Sequence, residues 1–141
     1  KSPRHRDTKS PRRMKILTKN QKNMKRTIEN LYIWQESRSV VNDIYTLMKD
    51  CRDFSFKDQI QRASISIMNN IAEGTESGSD AKYINFLNIS RGSCSEVHSM
   101  LYLCEDFKIC SQEERIKIQT KVKLLSVGIV NLVNYISKNK K

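Results

Sequence analysis

Four polar residues near the middle of the chain have the types and spacing to do acid–base chemistry. Arg62, Ser66, Asn70 and Glu73 follow one another at steps of three or four residues, which places them on one face of a helix. Glu73 has the side chain of a general base, with Arg62 and Asn70 beside it to line a site. No nucleophile, histidine or metal cluster accompanies these residues in the sequence. We therefore interpret them as a hydrogen-bonded network inside or between subunits, and we predict no enzymatic activity.

A second polar segment extends this network. Gly92 lies inside a long predicted helix, where glycine costs about 1 kcal/mol relative to alanine. Together with Ser93, it predicts the close approach of another helix. Glu96 follows one turn later, and we expect it to face Arg62 as a charge-assisted pair. The predicted structural network consists of Arg62, Ser66, Asn70, Glu73, Ser93 and Glu96.

Histidines, cysteines and glycines add no further site. Cys94 and His98 are four residues apart, as two metal ligands can be, but a structural zinc site needs about four ligands. Cys51 or Cys110 would have to converge on them, so we predict no metal. The glycines match neither G-x-G-x-x-G nor a P-loop, and we predict no cofactor. Cys94 and Cys104 share a predicted helix about 15 Å apart, which is too far for a disulfide. Reduced thiols favour a cytoplasmic protein.

Most of the positive charge lies in the first 26 residues. The formal net charge is +11, but residues 1–26 hold eleven basic residues and one acidic residue, whereas residues 27–141 hold 15 and 14. We interpret 1–26 as a disordered tail. Two interpretations of this tail stay open. It is a nucleic-acid-binding arm, or it is vector-derived or upstream sequence that precedes a true start at Met14 or Met24. The domain is then 27–141, and its candidate nucleic-acid contacts are Lys117, Lys121, Lys123, Lys138, Lys140 and Lys141.

Four helices account for this domain. Apolar spacing and capping residues predict helices at about 30–49, from a cap at Ser55 to a terminal Gly74, at about 81–108, and from a cap at Ser111 onward. The apolar stripe of the first helix is Trp34, Val41, Ile44 and Met48, and the seam of the fourth is Ile118, Val122, Leu125, Ile129, Leu132 and Ile136. Short connections predict an all-α, antiparallel up-down-up-down four-helix bundle. No run of about 18 apolar residues predicts a membrane span.

The second helix is apolar on two sides. One side consists of Phe56, Ile60, Ala63, Ile67 and Ile71, and the other of Ile65, Met68 and Ala72. A small bundle buries one side of each helix, so we expect the second side to contact another copy of the chain. A second helix neighbour within the same bundle is the alternative.

The second and third helices also carry a set of sequence motifs. They are Gln59-Ile60-Gln61-Arg62-Ala63, Ser66, Asn70-Ile71-Ala72-Glu73-Gly74, Phe86-Leu87 and Gly92-Ser93-x-x-Glu96. This set resembles the four helix bundle protein family, whose members are encoded by intervening sequences in bacterial 23S ribosomal RNA genes. The resemblance covers about residues 31–136. The short connection from Cys51 to Phe54 departs from it, since the family often has a longer one containing Phe-Pro.

The resemblance implies a homopentameric bundle with no known enzymatic activity. The family is also similar to the accessory protein of diversity-generating retroelements, a pentameric bundle that binds nucleic acid and a reverse transcriptase. We therefore predict a homo-oligomer that binds RNA or DNA, or a nucleic-acid-processing protein, through basic residues. A protein-only scaffold with a groove for a partner helix is the second hypothesis. A hydrolase working through Glu73 or Glu96 is the third.

Overall fold

The computed structural model describes residues 27–139, and every regular element in that range is helical. A short 3₁₀-helix, Ile28–Asn30, precedes four long α-helices: α1, Tyr32–Met48; α2, Phe54–Thr75; α3, Asp80–Asp106; and α4, Gln112–Lys138. The prediction of four helices is confirmed. None of these helices is long and apolar enough to cross a membrane. The predicted tail, 1–26, lies outside the described residues.

Side-chain caps fix where three of the helices begin. Ser111 and Glu114 form the complete predicted capping box at the start of α4, and Ser79 accepts a hydrogen bond from the Lys82 N–H at the start of α3. The predicted cap of α2 at Ser55 is wrong. Asp53 is the cap, because its carboxylate accepts from the Phe56 N–H at 3.1 Å. Aspartate caps helices as well as serine does, so the earlier of two suitable residues sets the start.

The predicted position of Gly74 beyond the end of α2 is also wrong. Gly74 lies inside the last turn of the helix and is buried. A methyl group added there would lie 2.9 Å from Tyr83 Cδ1 and 3.1 Å from Phe86 Cβ. Glycine at this position therefore lets α3 approach the backbone of α2. The glycine with a positive φ, +87°, is Gly78 in the turn that follows.

The hydrophobic core contains the predicted apolar face of α4, whereas the buried face of α1 differs from the predicted one at two positions. The seam of α4 is buried except for Leu132, which is partly buried and packs against the core. In α1 the buried positions are Ile33, Val40, Ile44 and Met48, whereas the predicted Trp34 and Val41 are only partly buried. The two sets share Ile44 and Met48, whereas the other two buried positions lie one residue earlier than predicted, which is about 100° away around the helix. Partial burial of Ile65, Met68 and Ala72 leaves the second apolar side of α2 incompletely covered.

Each helix packs on its neighbours in the chain, and α4 also packs on α1. Between α2 and α3, the rings of Phe56 and Phe107 meet at 5.4 Å at one end, and Gly74 meets Tyr83 at the other. Between α1 and α4, the Lys121 ammonium donates to Asp43 Oδ2 at 2.7 Å. Residue numbers rise along α2 as they fall along α3, and the same holds for α1 and α4, because Gly128 lies against Ile33 while Lys121 pairs with Asp43. These contacts hold α2 and α3 side by side, with the polar residues of both helices on one surface.

Candidate polar site on the α2–α3 face

A short hydrogen-bonded chain joins the polar residues of α2 and α3. The hydroxyls of Ser66 and Ser93 lie 2.8 Å apart, and Asn70 Nδ2 donates to both the carbonyl oxygen and the hydroxyl of Ser66. Ser90, which the sequence did not single out, donates its hydroxyl to the Ile67 carbonyl at 2.8 Å. Of the predicted network, Ser66 and Ser93 therefore link α2 to α3, and Asn70 bonds to Ser66 within α2.

The predicted pair between Arg62 and Glu96 is wrong. Arg62 Nε donates instead to Asp58 Oδ2 at 2.8 Å, one turn earlier on the same helix, and its side chain is 80% exposed. Glu96 Oε2 accepts from Gln59 Nε2 at 3.4 Å. Residues four apart on one helix lie next to each other on its surface, so the Arg62 guanidinium reaches Asp58 without extending across to α3. Arg62, Glu73 and Glu96 lie exposed around the buried serines rather than in their network.

Gly92 does not serve the packing within one chain. It is exposed, and within residues 27–139 no atom other than those of its own stretch of helix lies within 4 Å of where its methyl group would be. The prediction that another helix comes close is therefore wrong for the helices of the same chain. We call the surface that carries Arg62, Glu73, Gly92 and Glu96 the α2–α3 face. It presents three exposed charged side chains and an exposed glycine, an arrangement suited to hydrogen bonds and ion pairs with a partner.

The predicted thiols are free, and their surroundings make most of them unreactive. Cys94, Cys104 and Cys110 are buried, and Cys51 is partly buried. Burial raises the pKa of Cys94 and of Cys104 from 9.0 to about 12. Within residues 27–139, no group of three or more His, Cys, Asp and Glu side chains is placed to hold a metal ion. His98 packs edge-on against Tyr102, with ring centroids 5.7 Å apart.

The candidate lysines do not form one patch. Lys121 is occupied, because its ammonium donates to Ser39 and pairs with Asp43. Lys117 lines a groove between α1 and α4, whereas Lys123 lines a cleft between α3 and α4. Lys138 is exposed at the end of α4. The two remaining candidates, Lys140 and Lys141, lie outside the described residues.

Sequence reasoning missed a polar cluster between α3 and α4. The side chain of Arg115 is only 11% exposed and pairs with Glu105, whose hydrogen bond raises the pKa of the guanidinium. The guanidinium also stacks on the ring of Tyr102 at 4.7 Å and donates to Gln119 Oε1 at 2.7 Å. Gln119 in turn donates to the His98 carbonyl at 3.0 Å. Only the four-residue spacing of Arg115 and Gln119 was visible in the sequence.

The structure defines the class of the protein. Residues 27–139 form an all-α fold with four long helices, and the motifs found in the sequence lie on α2 and α3. Residues 29–131, more than half of the chain, match the model of the 23S rRNA-intervening sequence protein. The chain therefore belongs to the 23S rRNA-intervening sequence protein family, and the resemblance noted in its motifs is confirmed.

A solved structure has a similar fold. It is the crystal structure of a protein of unknown function from the S23 ribosomal protein family of Bacteroides thetaiotaomicron, with a TM-score of 0.65 and 24% sequence identity. The similarity covers 72% of this chain and 97% of that one. No curated protein matches the chain.

Proposed function

We propose that the protein is a non-enzymatic, cytoplasmic module that assembles with copies of itself and binds RNA or another nucleic acid through basic side chains. The helices are proposed to form an up-down-up-down bundle, and five such bundles the homopentamer that the family resemblance implies. The opposite numbering of α2 against α3 and of α1 against α4 supports this topology.

The observation that carries the assembly proposal is the exposure of the motif residues. Arg62, Glu73, Gly92 and Glu96 belong to the motifs that identify the family, yet all four lie on the surface. Gly92 lowers helix stability, and no neighbouring helix among the described residues comes close enough to explain the glycine. A second copy packed on the α2–α3 face accounts for both facts, because its backbone can come close to Gly92 while its side chains pair with the exposed charges.

Local charge supports nucleic-acid binding. Residues 27–139 carry 13 basic and 14 acidic residues, so the folded part as a whole does not attract phosphates. The charges are distributed unevenly, however. From Arg115 to Lys138, α4 carries five basic residues and no acidic residue, and three of them, Lys117, Lys123 and Lys138, belong to no ion pair among the described residues. A symmetric assembly repeats this helix, and several weak phosphate contacts then act together.

The assembly is tested with Gly92→Leu. Gly92 is exposed, and a Cβ there meets no neighbouring side chain among the described residues, so we expect leucine to leave the fold intact and to block a close-packed partner. We expect the mass from light scattering to fall toward that of one chain. Asn42→Leu, at an exposed position on α1, is the matched control and should keep the parent mass. An unchanged mass for Gly92→Leu would show that this face is not the interface, and a monomeric parent protein would refute the assembly itself.

Nucleic-acid binding is tested with RNA over a salt series, using the whole chain and a chain that starts at Met24. A steep loss of affinity with salt in both proteins supports a phosphate-binding surface on the folded domain. Loss of binding together with the first residues would refute that surface.

A protein-only scaffold is the second candidate, and a groove at one end of the helices favours it. The groove, about 580 Å³, lies between the connection of α1 to α2 and the end of α3. Leu47, Ile109 and the half-exposed Phe107 form an apolar part of its lining, and the charged residues around them are Lys49, Asp50, Arg52, Asp53 and Lys108. Such a groove suits an apolar side chain of a partner helix. Retained assembly without any affinity for RNA would favour this function.

A further inference from the structure

A cleft of about 220 Å³ between α3 and α4 has a lining unlike that of the other grooves. Its lining residues are Cys94, Ser95, His98, Val122, Lys123 and Ser126. The polar groups are two hydroxyls, one imidazole and one ammonium, and no carboxylate is among them. The cleft thus offers hydrogen-bond donors on an apolar floor and no acidic group to repel an anion.

The helices bring these donors together because of their spacing. Ser95 and His98 are three residues apart on α3, and Lys123 and Ser126 are three apart on α4, so each pair shares one helix face. The hydrogen bond from Gln119 to the His98 carbonyl fixes how the two faces meet. The donors are therefore held by rigid helices rather than by loops.

The lining of the cleft carries one positive charge, that of Lys123, and no negative charge. Lys123 is exposed and belongs to none of the ion pairs found within residues 27–139. Arg91 lies four and seven residues before Ser95 and His98 and so extends the same face of α3 with a second positive charge. Of the acids on α3, Glu105 pairs with Arg115, and Glu96 is directed toward α2, where it accepts a hydrogen bond from Gln59 and keeps its charge.

We propose that this cleft binds a phosphoryl group. Lys123 supplies the charge, and Ser95, Ser126 and His98 donate hydrogen bonds to the phosphoryl oxygens. Charge-assisted hydrogen bonds to an oxyanion strengthen where apolar walls, here Cys94 and Val122, exclude water from one side. Pockets that enclose whole drug-sized ligands measure about 300–1,000 Å³, so the smaller cleft suits one phosphoryl group. The group is either a phosphate of the RNA backbone, which rests on the function proposed above, or that of a free phosphate compound.

The test uses the whole chain with two probes, inorganic phosphate and a short single-stranded RNA. Lys123→Gln should weaken the binding of inorganic phosphate at least tenfold, and Ser95→Ala with Ser126→Ala should weaken it further. Lys82→Gln, at an exposed lysine of α3 that does not line the cleft, is the matched control and should bind both probes as the parent does. Acetylation mapped by mass spectrometry separates this cleft from the basic first residues, since phosphate should protect Lys123 and leave Lys82 reactive.

The two probes also separate the sources of the phosphoryl group. If Lys123→Gln weakens both phosphate and RNA, and the salt slope for RNA falls by about one per lost contact, the cleft binds the RNA backbone. If it weakens phosphate alone, the cleft is a site for a free phosphate compound, and the proposed RNA binding gains nothing from it. Equal phosphate affinity and equal acetylation of Lys123 with and without phosphate would overturn the site, even if RNA binding by the protein persists.

Discussion

The close packing of α3 on Gly74 predicts that the same substitution has opposite effects at two glycines. In Gly74→Ala the new methyl would lie 2.9 Å from Tyr83 Cδ1 and 3.1 Å from Phe86 Cβ, whereas carbon atoms pack best at about 3.5–4.0 Å. The Tyr83 ring cannot easily turn away, because its hydroxyl accepts a hydrogen bond from Thr75, and a Cβ atom moves only with its helix.

The magnitude follows from two opposing contributions. Inserting a methyl group into such a contact costs about 1–3 kcal/mol, and the better helix propensity of alanine returns at most about 1 kcal/mol. We therefore expect Gly74→Ala to lower the free energy of unfolding by about 1 kcal/mol. Gly92→Ala gains the propensity without a clash, since nothing lies within 4 Å, and should raise it by about 1 kcal/mol.

Urea unfolding followed by far-UV circular dichroism measures both variants against the parent. Low protein concentration keeps assembly through the α2–α3 face from altering the comparison. Equal slopes against urea show that the unfolded states are comparable. If Gly74→Ala proves as stable as Gly92→Ala, the contact between α2 and α3 is not as tight as described, and the reason given for Gly74 is wrong.

Three further predictions concern the caps, the core and the thiols. Asp53→Ala should cost about 1 kcal/mol of unfolding free energy by removing the cap of α2, while Ser55→Ala should change it little; the reverse order in urea unfolding would restore Ser55 as the cap. Leu101→Ala should cost about 2–5 kcal/mol, because Leu101 is fully buried; a smaller loss would indicate that the site collapses around the cavity. Since folding raises the pKa of Cys94 and Cys104 from 9.0 to about 12, the folded state holds those protons more tightly. The stability that these two protonated thiols contribute is complete below about pH 9 and is lost as the pH rises toward 12. At pH 8 Cys51 should react with iodoacetamide before the other three cysteines. Early labelling of Cys94 or Cys104 would contradict their burial.

The helices and the seam of α4 could be predicted because they depend on local signals. A capping box such as Ser111 with Glu114 is complete within four residues, and the period of Ile118 to Ile136 is visible along one helix. The stripe of α1 was less certain, because Ile33 and Trp34 are both apolar and lie about 100° apart around the helix. Only the neighbouring helices decide which of the two is buried.

The polar contacts were harder to predict, because they depend on which neighbour a long side chain reaches. Arg62 had acidic partners on two helices, and Asp58 on its own helix was the nearer one. The buried cluster of Arg115 with Glu105 depends on how far α4 slides along α3, a distance that no motif encodes. The serine network was predicted in part, since Ser66 and Asn70 already share a helix face.

The ion pair of Lys121 with Asp43 has a consequence for when the protein folds during its synthesis. It links residues 78 positions apart and, with the other contacts between α1 and α4, holds the first and last of the four long helices in residues 27–139 together. During synthesis the ribosome completes α1, α2 and α3 before most of α4 exists, so Ile33, which packs against Gly128, lacks that cover until then. Folding of the four helices as a unit should therefore wait until α4 has been synthesised. Chains stalled within α4 should be degraded faster by proteases than chains in which α4 is complete.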